Sequence, residues 1–170
     1  EHAKFELFQR LNTGGAHLSE QEVRNCVAVM VNLDFYKLLK KLSESGPFVT
    51  TTNQTSNALE KQVGLELVLR FFAFRNSPYE KGLDVHEYLD KALIDMSKSD
   101  EIDWSKEQAC FIKTFEFLSN ALGDNAFKRW DGDSFGGKFL MSLYETIAFG
   151  ISRNIDAYEA MMPDERSELI

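Results

Sequence analysis

The stretch LELVLRFFAF, Leu65–Phe74, contains the densest run of apolar residues in the chain. Its apolar residues fall on nearly every side of a helix, which is typical of a helix surrounded by other helices. The spacing therefore predicts a central helix over about residues 58–74. The run is too short to span a bilayer and contains Glu66 and Arg70, so we expect no membrane contact.

Glu66 and Arg70 are four residues apart, so they share one face of this helix and can form an ion pair. A buried pair of this kind loses hydration and is weak support for stability. Two interpretations stay open. In the first, Glu66 and Arg70 neutralise each other inside the core. In the second, the pair orients a neighbouring polar site.

Apolar stripes at helical spacing lie on both sides of the central helix. They predict an all-α fold, a single helical domain over residues 1–170 with a bundle of about six helices. Gly123 is expected to end one of these helices. The stripes are Val23, Val27, Met30 and Val31; Phe35, Leu38, Leu39 and Leu42; Val85, Leu89, Leu93 and Met96; Phe111, Phe115, Leu118 and Leu122; and Phe139, Leu140, Leu143, Tyr144, Ile147 and Ile151.

Residues 43–57, SESGPFVTTTNQTSN, interrupt the helical pattern with a polar segment rich in threonine. This composition predicts an exposed loop that connects two helices. An edge strand through Phe48-Val49-Thr50 is the alternative.

Composition and charge limit the partners. The 170 residues include 14 Phe and are 44% hydrophobic, which is enough apolar material for a sizeable core. The net charge of −8 argues against broad nonspecific binding of nucleic acid, because such binding depends on neutralising phosphates. We therefore expect DNA contact only through other domains.

Cys26 and Cys110 lie far apart in apolar helical segments, which predicts reduced, buried thiols and a cytoplasmic protein. No signal peptide is recognisable in the first residues, EHAKFELF. The chain begins at Glu1 and not at Met. We therefore expect it to be a piece of a larger protein.

The block FQRLNTGGAHLSEQEVRNC, Phe8–Cys26, carries the strongest candidate for a binding site. Gly14 and Gly15 permit a turn whose backbone amides approach a ligand closely. The following helix presents its N-terminus to that turn, and free amides there favour an anion. Arg10 and Arg24 flank the turn and have the geometry for bidentate phosphate contact.

A structural interpretation of the same block stays open beside the phosphate site. In it the glycines form a tight loop, and Ser19 with Glu22 forms a capping box at the start of the helix. The arginines then pair with acids such as Glu20 or Glu66. The block matches neither the P-loop nor the dinucleotide-binding glycine pattern.

Motifs for catalysis or metal binding are not recognisable. The sequence offers no Ser/His/Asp set, no Cys/His pair placed for attack and no histidine at metal-ligand spacing. Asp131 and Asp133 in WDGDS are interpreted as turn residues. We therefore assign no catalytic residue and no metal ligand to this chain.

The Phe8–Cys26 block resembles the F-x-R-(I/L)-N-T-G-G-x-x-L-(S/N)-x-Q-E-(I/L)-R-N stretch of the family called domain of unknown function 262. This is the N-terminal domain of GmrSD-type restriction proteins and their relatives in bacterial phage defence. Later segments are similar to further family segments in the same order. They are LELVLRFFAF, VHEYLDKALIDM, NAFKRW and GGKFLMSLYETIAFGI.

One departure from the family is large. The D-G-Q-Q-R motif, which the family carries on an upstream α/β half, does not occur in this sequence, and neither does a downstream HNH-type nuclease signature. The resemblance implies that the α/β half carries nucleotide binding and hydrolysis. The chain therefore resembles the helical half of such a domain, with its α/β half as the missing partner.

The resemblance implies a nucleoside-triphosphate site, with Mg²⁺, in the intact parent protein and no cofactor held by this chain alone. The residues expected to line or buttress it are Arg10, Asn12, Thr13, Gly14, Gly15 and Arg24. The supporting residues are Ser19, Gln21, Glu22, Asn25, Glu66 and Arg70. The alternative is a helical module for protein–protein interaction or homodimerisation, with no ligand site.

Overall fold

The computed structural model describes residues 18–79 and 82–160. Over these residues the protein is mostly helical, with eight α-helices, one short 3-10 turn and one two-stranded hairpin. The helices are α1 Glu20–Val31, α2 Leu33–Ser43, α3 Gly46–Thr52, α4 Ser56–Glu60, α5 Val63–Asn76, α6 Val85–Lys98, α7 Trp104–Leu122 and α8 Met141–Ala160. The helical class agrees with the sequence, but the expected number of about six was too low.

The chain divides into two compact units. The first combines the described parts of residues 1–43 and 55–102, and the second combines 44–54 with the described part of 103–170. The first unit thus contains α1, α2, α4, α5 and α6, and the second contains α3, α7, α8 and the hairpin. The prediction of one domain over residues 1–170 stays a prediction beside this division.

Helix α5 forms the centre of the first unit, in contact with α1, α2, α4 and α6. Its residues Leu67, Val68, Leu69 and Phe72 are fully buried, as expected for a helix that is apolar on nearly every side. The helix begins later than predicted. Gln62 adopts a left-handed backbone conformation that separates the short α4 from α5.

The junction between α1 and α2 follows the sequence pattern. Asn32 ends α1, and its Oδ1 accepts hydrogen bonds from the amides of Asp34 and Phe35, which start α2. Its Nδ2 donates to the carbonyl oxygen of Ser97 near the end of α6, over 2.8 Å. One side chain therefore caps a helix and fixes the junction to α6.

Residues 43–57 are not the exposed loop that the sequence predicted. Residues Gly46–Thr52 form helix α3, and Phe48 is completely buried in the second unit. Its ring lies 5.5 Å from that of Phe111 and 5.0 Å from that of Phe115. Thr51 and Thr52 donate their hydroxyl hydrogens to carbonyl oxygens of the preceding turn, so their polarity is satisfied within the helix.

The hairpin of the second unit pairs β1 Arg129–Trp130 with β2 Phe135–Gly136 in antiparallel register. Asp131 holds the turn, because its Oδ1 accepts from the amides of Asp133 and Ser134 over 3.0 and 2.8 Å. Gly132 has a φ of +107°, which side chains rarely allow. The interpretation of Asp131 and Asp133 as turn residues is confirmed.

The structure also bears on the predicted helix end at Gly123 and on the predicted buried thiols. Gly123 ends α7, as predicted. Cys110 and Cys26 are free thiols, but only Cys110 is buried, and Cys26 is half-buried. None of the helices in the described part of the chain has the length and apolar character needed to cross a membrane.

Candidate functional site

The capping box predicted for the start of α1 is present. Ser19 Oγ accepts from the amide of Glu22 over 3.3 Å, and the amide of Ser19 donates to Glu22 Oε2 over 2.7 Å. The amide of Ser19 and its hydroxyl, which lies 2.9 Å from Glu22 Oε2, both donate to the ionised carboxylate, so they hold the pKa of Glu22 below its usual value. The start of α1 is therefore fixed just after the Asn-Thr-Gly-Gly stretch.

Arg24 is the central residue of the candidate site. It is 0% exposed, although arginine is almost never fully buried without partners. Its Nε donates to Asp90 Oδ1 over 2.6 Å, and one terminal nitrogen lies 3.0 Å from Nδ1 of His86. The other terminal nitrogen lies 3.5 Å from Glu66 Oε2 and 3.4 Å from Gln21 Oε1. All three guanidinium nitrogens therefore have partners.

We call Arg24, Asp90, Glu66, His86 and Glu20 the Arg24 cluster. Glu20 completes it, because its Oε2 lies 3.9 Å from Arg24 Nη2 and 2.5 Å from His86 Nδ1. Helices α1, α5 and α6 each contribute at least one member. The cluster thus joins three helices of the first unit through charged side chains.

His86 Nδ1 faces two neighbours with opposite requirements. It can accept a hydrogen from Arg24 only when it carries none, and it can donate to Glu20 only when it is protonated. Burial raises the pKa of Asp90, and the positive charge of Arg24 acts in the opposite direction. The cluster therefore holds a buried carboxyl group, Asp90, beside the fully buried guanidinium of Arg24.

The supporting residues form two sets of hydrogen bonds beside Arg24. Arg70 donates to Glu66 Oε1 from Nε over 2.9 Å and from Nη2 over 2.7 Å, which confirms the predicted pair. Gln21 donates to Asn25 over 2.8 Å, and Asn25 donates to Gln62 Oε1. Arg24 links the two sets, because one of its terminal nitrogens lies 3.5 Å from Glu66 Oε2 and 3.4 Å from Gln21 Oε1.

The predicted phosphate residues fall into two groups. Those of the turn, Arg10, Asn12, Thr13, Gly14 and Gly15, lie outside the described residues. Arg24 lies inside them, and its predicted pairing with acids such as Glu20 and Glu66 is confirmed. Direct contact of Arg24 with a phosphate stays a prediction, and it requires the loss of a contact to Asp90, Glu66 or His86.

Sequence reasoning missed Asp90, His86 and Gln62 as partners of the block around Arg24. The sequence contains one indication of the role of His86 and Asp90. His86 and Asp90 are four residues apart in VHEYLDKAL, so they share one face of α6 beside its apolar stripe. No comparable signal exists for Gln62, since its role depends on its left-handed backbone.

Within the described part of the chain, no group of three or more His, Cys, Asp or Glu side chains is arranged to hold a metal ion. Comparison of the chain with protein-family models, with curated proteins and with solved structures found no match. The functional interpretation therefore rests on the Arg24 cluster and on the sequence pattern of the N-terminal block.

Proposed function

We propose that this chain is the helical part of a nucleotide-dependent phage-defence or DNA-restriction protein of the bacterial cytoplasm. It supports or half-forms a nucleoside-triphosphate site that an upstream α/β half completes. The support for this proposal is the resemblance of Phe8–Cys26 to the family called domain of unknown function 262. DNA is contacted through other domains of the parent protein.

The observation that carries the proposal is the complete burial of Arg24 in α1, which begins five positions after Gly15 in the chain. Its contacts to Asp90, Glu66 and His86 fix the position of α1 against α5 and α6. In this proposal Arg24 positions the turn, whereas Arg10 and the amides of Gly14 and Gly15 contact phosphate.

The division of roles follows from the chemistry of phosphoryl groups. Their stabilisation needs positioned positive charge, usually with Mg²⁺. Here the chain supplies Arg10 and the turn amides, and the upstream half supplies the metal site and the catalytic groups. The proposal assigns no catalytic residue to this chain.

A thermal-shift titration with each nucleoside triphosphate plus Mg²⁺ tests the proposal on the chain as it stands. A ligand at about 100 times its dissociation constant adds about 2.7 kcal/mol to the free energy of unfolding. We expect a shift with at least one triphosphate and its loss in Arg10→Ala. No shift with any triphosphate would contradict phosphate binding by this chain on its own, and the turn would then be a structural junction or one half of a split site.

A second candidate function, a helical interaction module, is favoured by one surface. Val29, Met30 and Leu33 are 43%, 53% and 48% exposed and follow one another at the end of α1 and the start of α2. Large apolar side chains grouped on a surface often mark a protein contact. In this alternative the module forms a homodimer or docks on the α/β half.

Light scattering coupled to size exclusion tests the interaction module. It predicts a dimer whose fraction grows with concentration and falls in Met30→Lys. Lys37→Ala, a change at an exposed position on α2, serves as the control and should leave the dimer unchanged. A strict monomer at high concentration would exclude the homodimer.

A further inference from the structure

The second unit contains a pocket of about 550 Å³ between α7, the hairpin and α8. Pockets of a few hundred to about 1,000 Å³ hold small organic ligands. Most of the lining is apolar. The residues used below are Ala121, Lys128, Trp130, Gly150 and Tyr158.

An ion pair neutralises the positive charge in the pocket lining. Among the described residues that line the pocket, Lys128 is the one with a charged side chain. Its Nζ donates to Asp124 Oδ2 over 2.8 Å and to Asn125 Oδ1 over 3.1 Å. The ion pair holds the pKa of Asp124 below its usual value, so this carboxylate is ionised at neutral pH. An anionic ligand would have to compete with Asp124, and an uncharged ligand would not.

Gly150 keeps part of the pocket open. It lies in the middle of the 20-residue helix α8, where glycine costs about 1 kcal/mol relative to alanine. A Cβ atom added there would meet no atom of the described residues within 4 Å. No contact with another described residue explains the glycine, and Gly150 is itself part of the pocket lining.

The walls offer aromatic surfaces with polar edges. Tyr158 stacks on Phe117 at 5.5 Å, and Trp130 lies against Phe135 at 4.8 Å. Trp130 is 52% exposed at the edge of the pocket. Such rings favour a flat apolar ligand, and the indole N–H and the phenol hydroxyl can bind one of its polar atoms.

We propose that this pocket binds an uncharged, mostly apolar small molecule that carries a planar ring. The site is independent of the proposed nucleotide function, since the described residues that line it belong to the second unit. Space beside Gly150, aromatic walls and a compensated lysine together define the ligand class.

Fluorescence titration with N-phenylnaphthylamine, an uncharged probe that brightens in apolar surroundings, tests the site. We expect saturable binding of one probe per chain. Anilinonaphthalene sulfonate has the same ring system with a negative charge, and we expect it to bind at least about tenfold more weakly. Absence of saturable binding of the uncharged probe, or equal binding of the two probes, would overturn the proposal.

Two filling variants locate the probe. Gly150→Leu and Ala121→Leu place a new side chain in the pocket from α8 and α7, and each should weaken binding about tenfold or more. Asp156→Leu introduces the same residue on α8 at an exposed position outside the lining and should bind as the unchanged protein does. Circular dichroism checks that each variant is folded. Unchanged binding by a folded filling variant would overturn the assignment.

Discussion

Arg24 and Asp90 are 66 positions apart in the chain, yet Nε of the arginine donates to Oδ1 of the aspartate over 2.6 Å. The arginine is fully buried and the aspartate nearly so. The contact therefore fixes α1 against α6. A pair of this kind contributes little net stability when complete, but its disruption leaves a charge without compensation.

Loss of the buried guanidinium should be costly. We expect Arg24→Ala to lower the free energy of unfolding by about 3–5 kcal/mol, because the buried Asp90 would lose its guanidinium partner, whereas Glu66 would keep Arg70. Arg24→Lys should cost less, since it keeps the charge and loses only the planar fork. Urea denaturation followed by circular dichroism measures both changes.

The matched control is Lys37→Ala. Lys37 pairs with Asp34 on the surface, and both side chains are mostly exposed. Exposed pairs contribute about 0–1 kcal/mol. An Arg24→Ala protein as stable as Lys37→Ala would show that the guanidinium is not buried as described.

Asp90 should contribute to the pH dependence of the free energy of unfolding. Burial raises the pKa of Asp90 in the folded protein above its unfolded value of about 3.9. Between those two values the folded state binds more protons, so this carboxyl lowers the free energy of unfolding as pH rises. Asp90→Asn removes that contribution. Urea denaturation across the acidic range should therefore show the free energy of unfolding of Asp90→Asn rising, with increasing pH, relative to that of the unchanged protein. If the two free energies change in parallel with pH, the pKa of Asp90 is not raised.

Helix α3 provides a sharp test of the second unit. Phe48 is completely buried against Phe111 and Phe115, so Phe48→Ala should cost about 3–5 kcal/mol. Its neighbour Val49 is 47% exposed, and Val49→Ala should change stability by no more than about 0.5 kcal/mol. Thermal or urea unfolding compares the two. If both substitutions change stability by the same small amount, Phe48 is not buried and the segment is the exposed loop that the sequence predicted.

The capping box predicts a local change of pKa. The backbone amide of residue 19 contributes most to the lowered pKa of Glu22 and stays in Ser19→Ala, whereas the hydroxyl that donates to Glu22 Oε2 is lost, so the pKa should rise part of the way toward its usual value. NMR titration of the side-chain carboxyl measures the shift. Asp131 is the internal control, because the amides of Asp133 and Ser134 keep its pKa low by contacts in the second unit. A pKa of Glu22 that is the same in Ser19→Ala as in the unchanged protein would contradict the hydroxyl contribution.

Local patterns were readable from the sequence, and long-range partners were not. Ser19 with Glu22, the pair of Glu66 and Arg70, and the helix end at Gly123 each depend on residues within four positions of each other. The pairing of Arg24 with Asp90 depends on how α1 and α6 pack. Sequence spacing carries no information about that packing.

The missed helix α3 has a different cause. Its threonines made the segment look like a solvated loop, but Thr51 and Thr52 bond to the backbone of their own helix. A single aromatic residue, Phe48, anchors the segment in the core. One buried residue in a polar run gives no periodic signal.

The most direct test of the central claim is the affinity for triphosphate with Mg²⁺, measured by calorimetry in Asp90→Asn. Asp90 is an acid that holds Arg24 and would not bind phosphate itself. Asp124→Asn in the second unit is the control. We predict that Asp90→Asn weakens binding about tenfold or more while Asp124→Asn leaves it unchanged. Equal affinity in the folded Asp90→Asn protein would contradict a positioning role for the Arg24 cluster.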